Sequence, residues 1–519
     1  MDSHLRIYFV RTWFANLSSD NVFGVLVCLS MNSRLMFPFS ASLANKVACS
    51  ATIAIISLAA FSLAACNKKD AEKNALPVAA APAVPAAANP DPDTLAATAA
   101  LARIEAPVEP LSAVAQLGRK IFYDKTLSGN GKMSCASCHS PDHAYAPSNE
   151  MAVQLGGLSM QHQGGRAVPS LAYHEHAPAF SIGPDQKPDE DDKIAVKAAA
   201  DARAAAPEAS RRAPKAGMAQ ADKAQEMVPQ GGFDWDGRAV NLTDQAGGPL
   251  LDPNEMANKD AAALVAKLKK AAYADDMTLL FGPGVFTSPN IALGEAYFAL
   301  ARFQIEERSF HPYDSKYDYF LARKVQLSEQ EQRGLDLFKD AKKGNCAACH
   351  VEKPSRDGVI PPAFTDYQFE ALAAPRNKDI VANRNAAYFD QGMCGPWRKD
   401  AAKQLKYCGF FKTPSLRNSA TRQVFFHNGV FHSLEDVVRF YVERETKPEN
   451  WYPVGKDGKV NKYNDLPAER HGNVDLTDAP FDRKSGETPA LNEDEIKDIV
   501  AFLKTLNDGY KLEAAAEKK

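Results

Sequence analysis

Two short segments, Cys135-Ala136-Ser137-Cys138-His139 and Cys346-Ala347-Ala348-Cys349-His350, each place two thiols three positions apart with an imidazole directly after them. This is the C-x-x-C-H pattern of haem c attachment. The thiols bond to the haem vinyl groups and the histidine becomes the proximal iron ligand. A structural zinc site needs four ligands, as a rule from two paired half-sites. Each segment offers only three, so zinc fits poorly. A thioredoxin-like thiol pair needs a strand-helix-strand setting, and neither flank shows one. The chemistry expected is that of two covalently bound haem c groups, with His139 and His350 on iron.

The elements that carry these segments repeat. Val114, Leu117, Ile121 and Phe122 recur at helical spacing, and Leu127-Ser128-Gly129-Asn130-Gly131 then turns the chain toward Cys135. Ser328-Glu329-Gln330-Glu331 opens a second helix with an N-cap and an acidic first turn. Leu335, Leu337 and Phe338 form its apolar face, and a Gly-Asn turn precedes Cys346. Helix, turn and motif thus occur twice, an internal repeat of the cytochrome c kind. Leu491-Asn492-Glu493-Asp494-Glu495 begins a last helix that continues through Ile496, Ile499, Val500, Phe502 and Leu503. Such a helix is expected to cross the first helix of its unit. No alternating run is long enough to predict a sheet. The expected fold is all-α: two cytochrome c-like domains with long loops, over 105–325 and 326–512, each holding one haem. Within the first, 184–230 is Ala, Lys, Asp, Glu and Pro with almost no large apolar residue, and is expected to be a disordered insertion.

The chain has 519 residues, a net charge of -3 and 45% hydrophobic residues. That balance gives no reason to expect nucleic acid as a partner. Residues 1–66 read as a leader. Val47 to Ala60 is an apolar run too short to span a membrane, and Leu63-Ala64-Ala65-Cys66 resembles a bacterial lipobox. Cys66 is then the lipidated mature N-terminus; the alternative is a secretory signal cut at small residues. Both predict a periplasmic protein, the first with a lipid anchor in a membrane. Residues ahead of Met31 or Met36 read as an over-extended start. Residues 67–104 form an Ala/Pro-rich tether, and 513–519 a tail. Of nine cysteines, Cys28 and Cys49 fall in the leader, Cys66 takes lipid and four take haem. Cys394 and Cys408 remain, and an oxidising compartment favours a disulfide between them over two separate thiols.

From Phe233-Asp234-Trp235-Asp236-Gly237-Arg238-Ala239 the chain resembles the bacterial di-haem cytochrome c peroxidase and MauG superfamily. The likeness continues through Gln245-Ala246-Gly247-Gly248-Pro249 and Pro253-Asn254-Glu255-Met256. It resumes at Phe411-Lys412-Thr413-Pro414-Ser415-Leu416-Arg417-Asn418 and Phe426-His427-Asn428-Gly429. With both haem motifs it covers most of 105–510. The resemblance implies an oxidoreductase in which hydrogen peroxide reacts at the N-terminal haem. Gln245 and Glu255 match the family's distal glutamine and glutamate, Trp235 its inter-haem tryptophan, and Arg166 an arginine after the distal loop. Peroxide must lose a proton from one oxygen and gain one at the other, which a carboxylate can carry. The family often has asparagine where Ala167 stands, and that asparagine helps hold calcium between the haems; calcium is therefore in doubt here.

The family's sixth ligand to the second haem lies in the helix after Phe-His-Asn-Gly. Counting along Leu434 to Tyr441, that position is Tyr441, as in MauG-like proteins; Met393 is the alternative. Phenolate favours high oxidation states of iron, and thioether favours Fe(II). His162 lies in the family's distal-histidine loop but not in register with that ligand; His143, His174 and His176 are the other candidates, each read as a solvated loop histidine, so an open N-terminal iron is expected. Electrons come either from a small donor protein or from a protein side chain that is oxidised, as MauG does. The resemblance allows a homodimer. The rival reading is a non-catalytic electron-transfer cytochrome or haem redox sensor, against which a distal acid argues.

Overall fold

The computed structural model describes residues 92–185, 227–355 and 359–512. Cys66 with the rest of the leader, most of the tether, the centre of the 184–230 insertion and the tail lie outside the described residues. Ten α-helices are found among the described residues: α1 (Pro92–Glu105), α2 (Ala113–Tyr123), α3 (Leu242–Leu251), α4 (Ala261–Leu268), α5 (Ala274–Phe281), α6 (Pro289–Glu306), α7 (Lys316–Leu321), α8 (Glu329–Lys339), α9 (Leu434–Glu443) and α10 (Glu493–Lys504).

Two helix pairs organise the fold. Ser112 caps α2, accepting from the Ala115 amide, and Ser288 caps α6 from the Ile291 amide. α8 and α10 both begin with capping boxes, Ser328 with Glu331 and Asn492 with Glu495. α2 packs across α6, and α8 across α10. Each crossing is centred on a glycine. A Cβ on Gly118 would lie 1.9 Å from the Ala299 carbonyl oxygen and 2.9 Å from Phe303 Cβ. A Cβ on Gly334 would lie 2.0 Å from the Asp498 oxygen and 2.9 Å from Phe502 Cβ. The repeat visible in the sequence is thus reproduced at atomic level, with a phenylalanine one turn beyond each contact. Around these crossings lie two apolar clusters, one with Leu117, Phe122, Phe303 and Phe310, the other with Phe338, Phe364, Phe440 and Phe502.

Gly118→Ala and Gly334→Ala should each destabilise the protein by about 1–3 kcal/mol, because the helices must move apart. Gly294 lies within α6 with nothing near its would-be Cβ. Gly294→Ala should instead be neutral or stabilising by up to ~1 kcal/mol. Urea midpoints of the three variants check this ranking.

Three expectations need correction. The tether is helical from Pro92 onward, since alanine is the strongest helix former and no proline interrupts Asp93 to Glu105. α1 docks on α7, and Arg308 Nη2 donates to the Arg103 oxygen at 2.7 Å. The fold is mostly helical but not wholly so. Three two-stranded antiparallel ribbons occur: 155–156 with 162–163, 181–184 with 227–230, and 369–370 with 411–412. Strands of two to four residues are too short for alternation to reveal. The second ribbon also orders both ends of the 184–230 insertion, pairing Ser181 with Gln230 and Pro184 with Met227. The chain therefore leaves and re-enters the fold at one place. No described helix is long and apolar enough to cross a membrane.

Candidate active site

Each C-x-x-C-H segment makes a single tight turn. The His139 amide donates to the Cys135 oxygen at 2.9 Å, and the His350 amide to the Cys346 oxygen at 2.8 Å. His139 Nδ1 lies 3.0 Å from the Tyr145 carbonyl oxygen, and His350 Nδ1 2.9 Å from that of Phe364. A carbonyl only accepts, so both Nδ1 atoms carry the proton and both Nε2 atoms keep a lone pair. Burial holds each imidazole down to about 4, hence neutral. These are metal-ready histidines.

Each histidine lines a cavity with its two cysteines. The first has about 1260 Å³ of space, counted to its open mouth, and its walls include Phe122, Leu171, Leu250 and Leu300. The second has about 1620 Å³ and is more apolar, with Phe338, Phe425, Phe426 and Leu434. Two thiols and an oriented imidazole at the wall of a large apolar cavity fit haem c in both places.

Gln245, Glu255, Trp235 and Arg166 all line the first cavity with His139. Asn241 caps α3, which carries Gln245, and the chain turns after Asp252 to present Glu255. Backbone clamps hold that turn. Gly157 N donates to the Glu255 oxygen at 2.8 Å, and Gly129 N to the Met256 oxygen at 2.6 Å. Gly156 packs so closely that a Cβ would lie 2.3 Å from the Asn254 oxygen. Burial, then the charges of Asp252 and Asp234, push Glu255 up to about 7, with Arg238 opposing. A carboxylate at that value both takes and returns a proton near neutrality.

Trp235 lines both cavities. Its indole N–H donates to the Ala167 oxygen at 2.7 Å, and its own carbonyl accepts from Lys412 N at 2.8 Å. Arg166 is held at the wall of the first cavity by two buried acids. Its Nε and Nη2 donate to Asp390 at 2.7 and 2.8 Å. Its Nη1 lies 2.8 Å from Asp236 Oδ2, a close ion pair without hydrogen-bond alignment. The guanidinium also stands 5.3 Å over Phe411. All three charged groups are buried. Arg166 joins the wall of the first cavity to Asp390, which lines the second.

Tyr441, on α9, lines the second cavity with His350. Phe426 and Phe481 flank its ring at 6.0 and 5.5 Å between centroids, and burial pushes its phenol above the usual range. Met393 does not line that cavity; it is buried with Phe369, Ala401 and Tyr407. His143, His162, His174 and His176 do not line the first. Cys394 and Cys408 are joined by a disulfide. Sequence reasoning passed over Arg238 and Lys412, although both lie inside the quoted motifs. Arg238 lines the first cavity and Lys412 the second. Burial pulls Lys412 down to about 8, and its Nζ donates to the Gly232 oxygen at 2.7 Å. Trp397 also lines the first cavity, without any local signal.

The sequence profile of the di-haem cytochrome c peroxidase family matches residues 112–326. Methylamine utilization protein MauG of Paracoccus denitrificans is 31% identical over 412 residues, covering 76% of this chain and 89% of that protein. Cytochrome c peroxidase Ccp of Escherichia coli is 30% identical over 277 residues, 53% of this chain and 45% of that one. The crystal structure of the diheme peroxidase BthA from Burkholderia thailandensis superposes with a TM-score of 0.64 at 33% identity, covering 78% of this chain and 88% of that one. With that likeness the carrier and sensor readings give way to an oxidoreductase, and the chain belongs to the di-haem cytochrome c peroxidase family that includes MauG.

Proposed function

We propose that hydrogen peroxide reacts in the N-terminal cavity and that the C-terminal cavity supplies the electrons. The observation that carries this is an asymmetry: Gln245 and Glu255 line only the first cavity, whereas Trp235 lines both. Haem c bound through Cys135, Cys138 and His139, and through Cys346, Cys349 and His350, would supply iron that exchanges electrons with peroxide and with a donor. Glu255 accepts the proton from one peroxide oxygen and returns it to the other. The Gln245 amide orients the peroxide by hydrogen bonding. Trp235 puts one aromatic ring at the wall the two cavities share, and its N–H bond to Ala167 fixes that ring. Arg166 holds the shared wall together.

In this reading Tyr441 would hold the iron of the second haem together with His350, since it lines the second cavity and Met393 does not. Tyrosine there, with a match that runs through most of MauG and under half of Ccp, favours the MauG-like branch, in which the electrons come from a protein side chain. The peroxidase branch, with a small donor protein, is the alternative. The two cavities belong to two cytochrome c-like halves, 105–325 and 326–512. The disulfide and the Leu63–Cys66 segment support a periplasmic, lipid-anchored protein. Calcium and a homodimer rest on resemblance alone and take no part in the mechanism.

Rapid mixing of the ferric holoprotein with peroxide tests the proposal: the Soret band should shift at once, and a protein inert to peroxide overturns it. Trp235→Phe should leave the peroxide step at the first haem intact and slow the spectral response of the second. Tyr441→Phe should change the ferric spectrum of one haem only; an unchanged spectrum excludes Tyr441 as ligand.

A further inference from the structure

Of the acids that line the second cavity, Asp390 and Asp465 are the buried ones. They are held differently. Asp390 takes two hydrogen bonds from Arg166, at 2.7 and 2.8 Å, and one from the Gly392 amide at 3.1 Å. Asp465 is held more loosely. Arg376 Nη1 reaches its Oδ1 only at 3.3 Å, and the other Arg376 donors go to the carbonyls of Asn383, Asn385 and Tyr388. Asn428 Nδ2 donates to Asp465 Oδ2 at 3.0 Å and shares itself with the Pro375 oxygen at 2.9 Å. His427 Nε2 stands 3.9 Å from that same carboxyl oxygen, out of hydrogen-bond reach. Its ring is pinned there by stacking on Phe411, 3.6 Å between centroids.

The groups facing Asp465 leave it one distant cation. Burial holds His427 down to about 4, so its imidazole is neutral at pH 7 and offers no counter-charge. The Tyr388 phenol, pushed up to about 12 chiefly by burial, is neutral as well. Asp390 stays ionised under Arg166, and its charge opposes a second carboxylate beside it. Burial first, and Asp390 after it, push Asp465 up to about 7, against Asn428 and Arg376. Cys346, Cys349 and His350 line the same cavity. A positive charge arriving in a cavity of low dielectric favours the ionised form of a carboxyl at its wall. A group that fills the cavity displaces water from it, which strengthens both the burial and that attraction.

We propose that Asp465 exchanges one proton in step with the redox state of the haem in the second cavity, which rests on the reading that haem occupies that cavity. Asp465 keeps its proton while the haem is reduced. When an electron leaves that haem for the first site, the O–H bond of Asp465 breaks, the proton passes to solvent, and the carboxylate left behind balances the charge. The proton returns when a donor replaces the electron. One electron and one proton depart together, so the electron is given up more easily as the pH rises.

The test uses the full-length holoprotein. A pyridine haemochrome assay of the wild type counts haem; fewer than two per chain overturns the reading on which the proposal rests. With two present, spectroelectrochemical titration should show one haem whose reduction constant falls with rising pH between pH 6 and 8, by up to about tenfold per pH unit, the limit for one proton per electron. Asp465→Asn should flatten that dependence and leave the other haem's unchanged. Asp465→Glu, which keeps a carboxyl, should retain much of it. Infrared difference spectra, taken at the potential where that haem changes, should show a protonated-carboxyl C=O stretch that is lost on oxidation and is absent in Asp465→Asn. A pH dependence that survives Asp465→Asn overturns the proposal; one that survives it and is lost in Tyr441→Phe places the proton on the phenol instead. If Asp465→Asn does not accumulate, the wild-type infrared spectra decide: no carboxyl band changing with that haem overturns the proposal.

Discussion

Replacing Glu255 by glutamine should slow the reaction with peroxide by about 100- to 10,000-fold, the range for loss of a positioned proton-transfer group. Glutamine keeps the shape and the hydrogen bonding of the side chain but cannot take a proton. The pH profile is the sharper observation. Glu255 is pushed up to about 7 by burial first and then by Asp252 and Asp234. Below that pH it already holds a proton and cannot accept another, so the wild-type rate should fall as the pH drops from 8 to 6. The glutamine variant is neutral throughout, and its residual rate should be flat across the same window. Stability moves the opposite way. A carboxyl whose folded value is raised binds its proton more tightly in the folded state, so the wild type loses stability as the pH rises from about 4.5 to about 7. The variant should therefore match the wild type near pH 4 and unfold at a higher temperature at pH 8. Stopped-flow rates and thermal midpoints at both ends of the range decide the point; a pH-dependent variant would rule Glu255 out.

The largest loss of stability is expected from Arg166→Leu, about 3–5 kcal/mol at pH 8, as for breaking one partner out of a buried ion pair. Asp236 and Asp390 are 0% and 7% exposed. With the guanidinium gone, Asp390 would lose the cation it pairs with, and Asp236 would keep Arg238 alone. Burial alone raises Asp390, and Arg166 overcomes this to hold it below the usual carboxylate range. Without Arg166 the Asp390 carboxyl rises instead and takes a proton. The loss should therefore shrink as the pH is lowered toward 4, where protonation relieves the buried charge. The double variant Arg166→Leu with Asp390→Leu should recover much of the stability. Urea unfolding at pH 8 and pH 4 measures all of this. A loss under 1 kcal/mol at pH 8 would mean that the brace adds little.

What could be read in the chain was what is local to it. Two cysteines and a histidine within five residues declare their own chemistry. The caps at Ser328 and Asn492 and the apolar rows after them mark α8 and α10 before any contact is known. Gln245 and Glu255 lie within one helix and the turn that follows, so matching flanks locate both. Residues whose role depends on distant partners were not legible. Arg166 follows the distal loop in the sequence, but its partner Asp390 is 224 residues away, which no local pattern announces. Nothing around Trp397 tells that it rests on Gly165. Alanine and proline content suggests a tether over 67–104, but from Pro92 the chain is a helix docked on α7.

The first cavity is built from segments far apart in the chain: Cys135 and His139, then Trp235, then Trp397 from inside the disulfide loop. A polypeptide emerges from its N-terminus onward. The two thiols and the imidazole are therefore made long before Trp397, which lines the same cavity. A group can therefore be joined to Cys135 and Cys138 before the loop that carries Trp397 is made. Maturation of the first site is in this sense written in the order of the gene, and a chain truncated before residue 390 would carry the attachment motif without the wall that completes it.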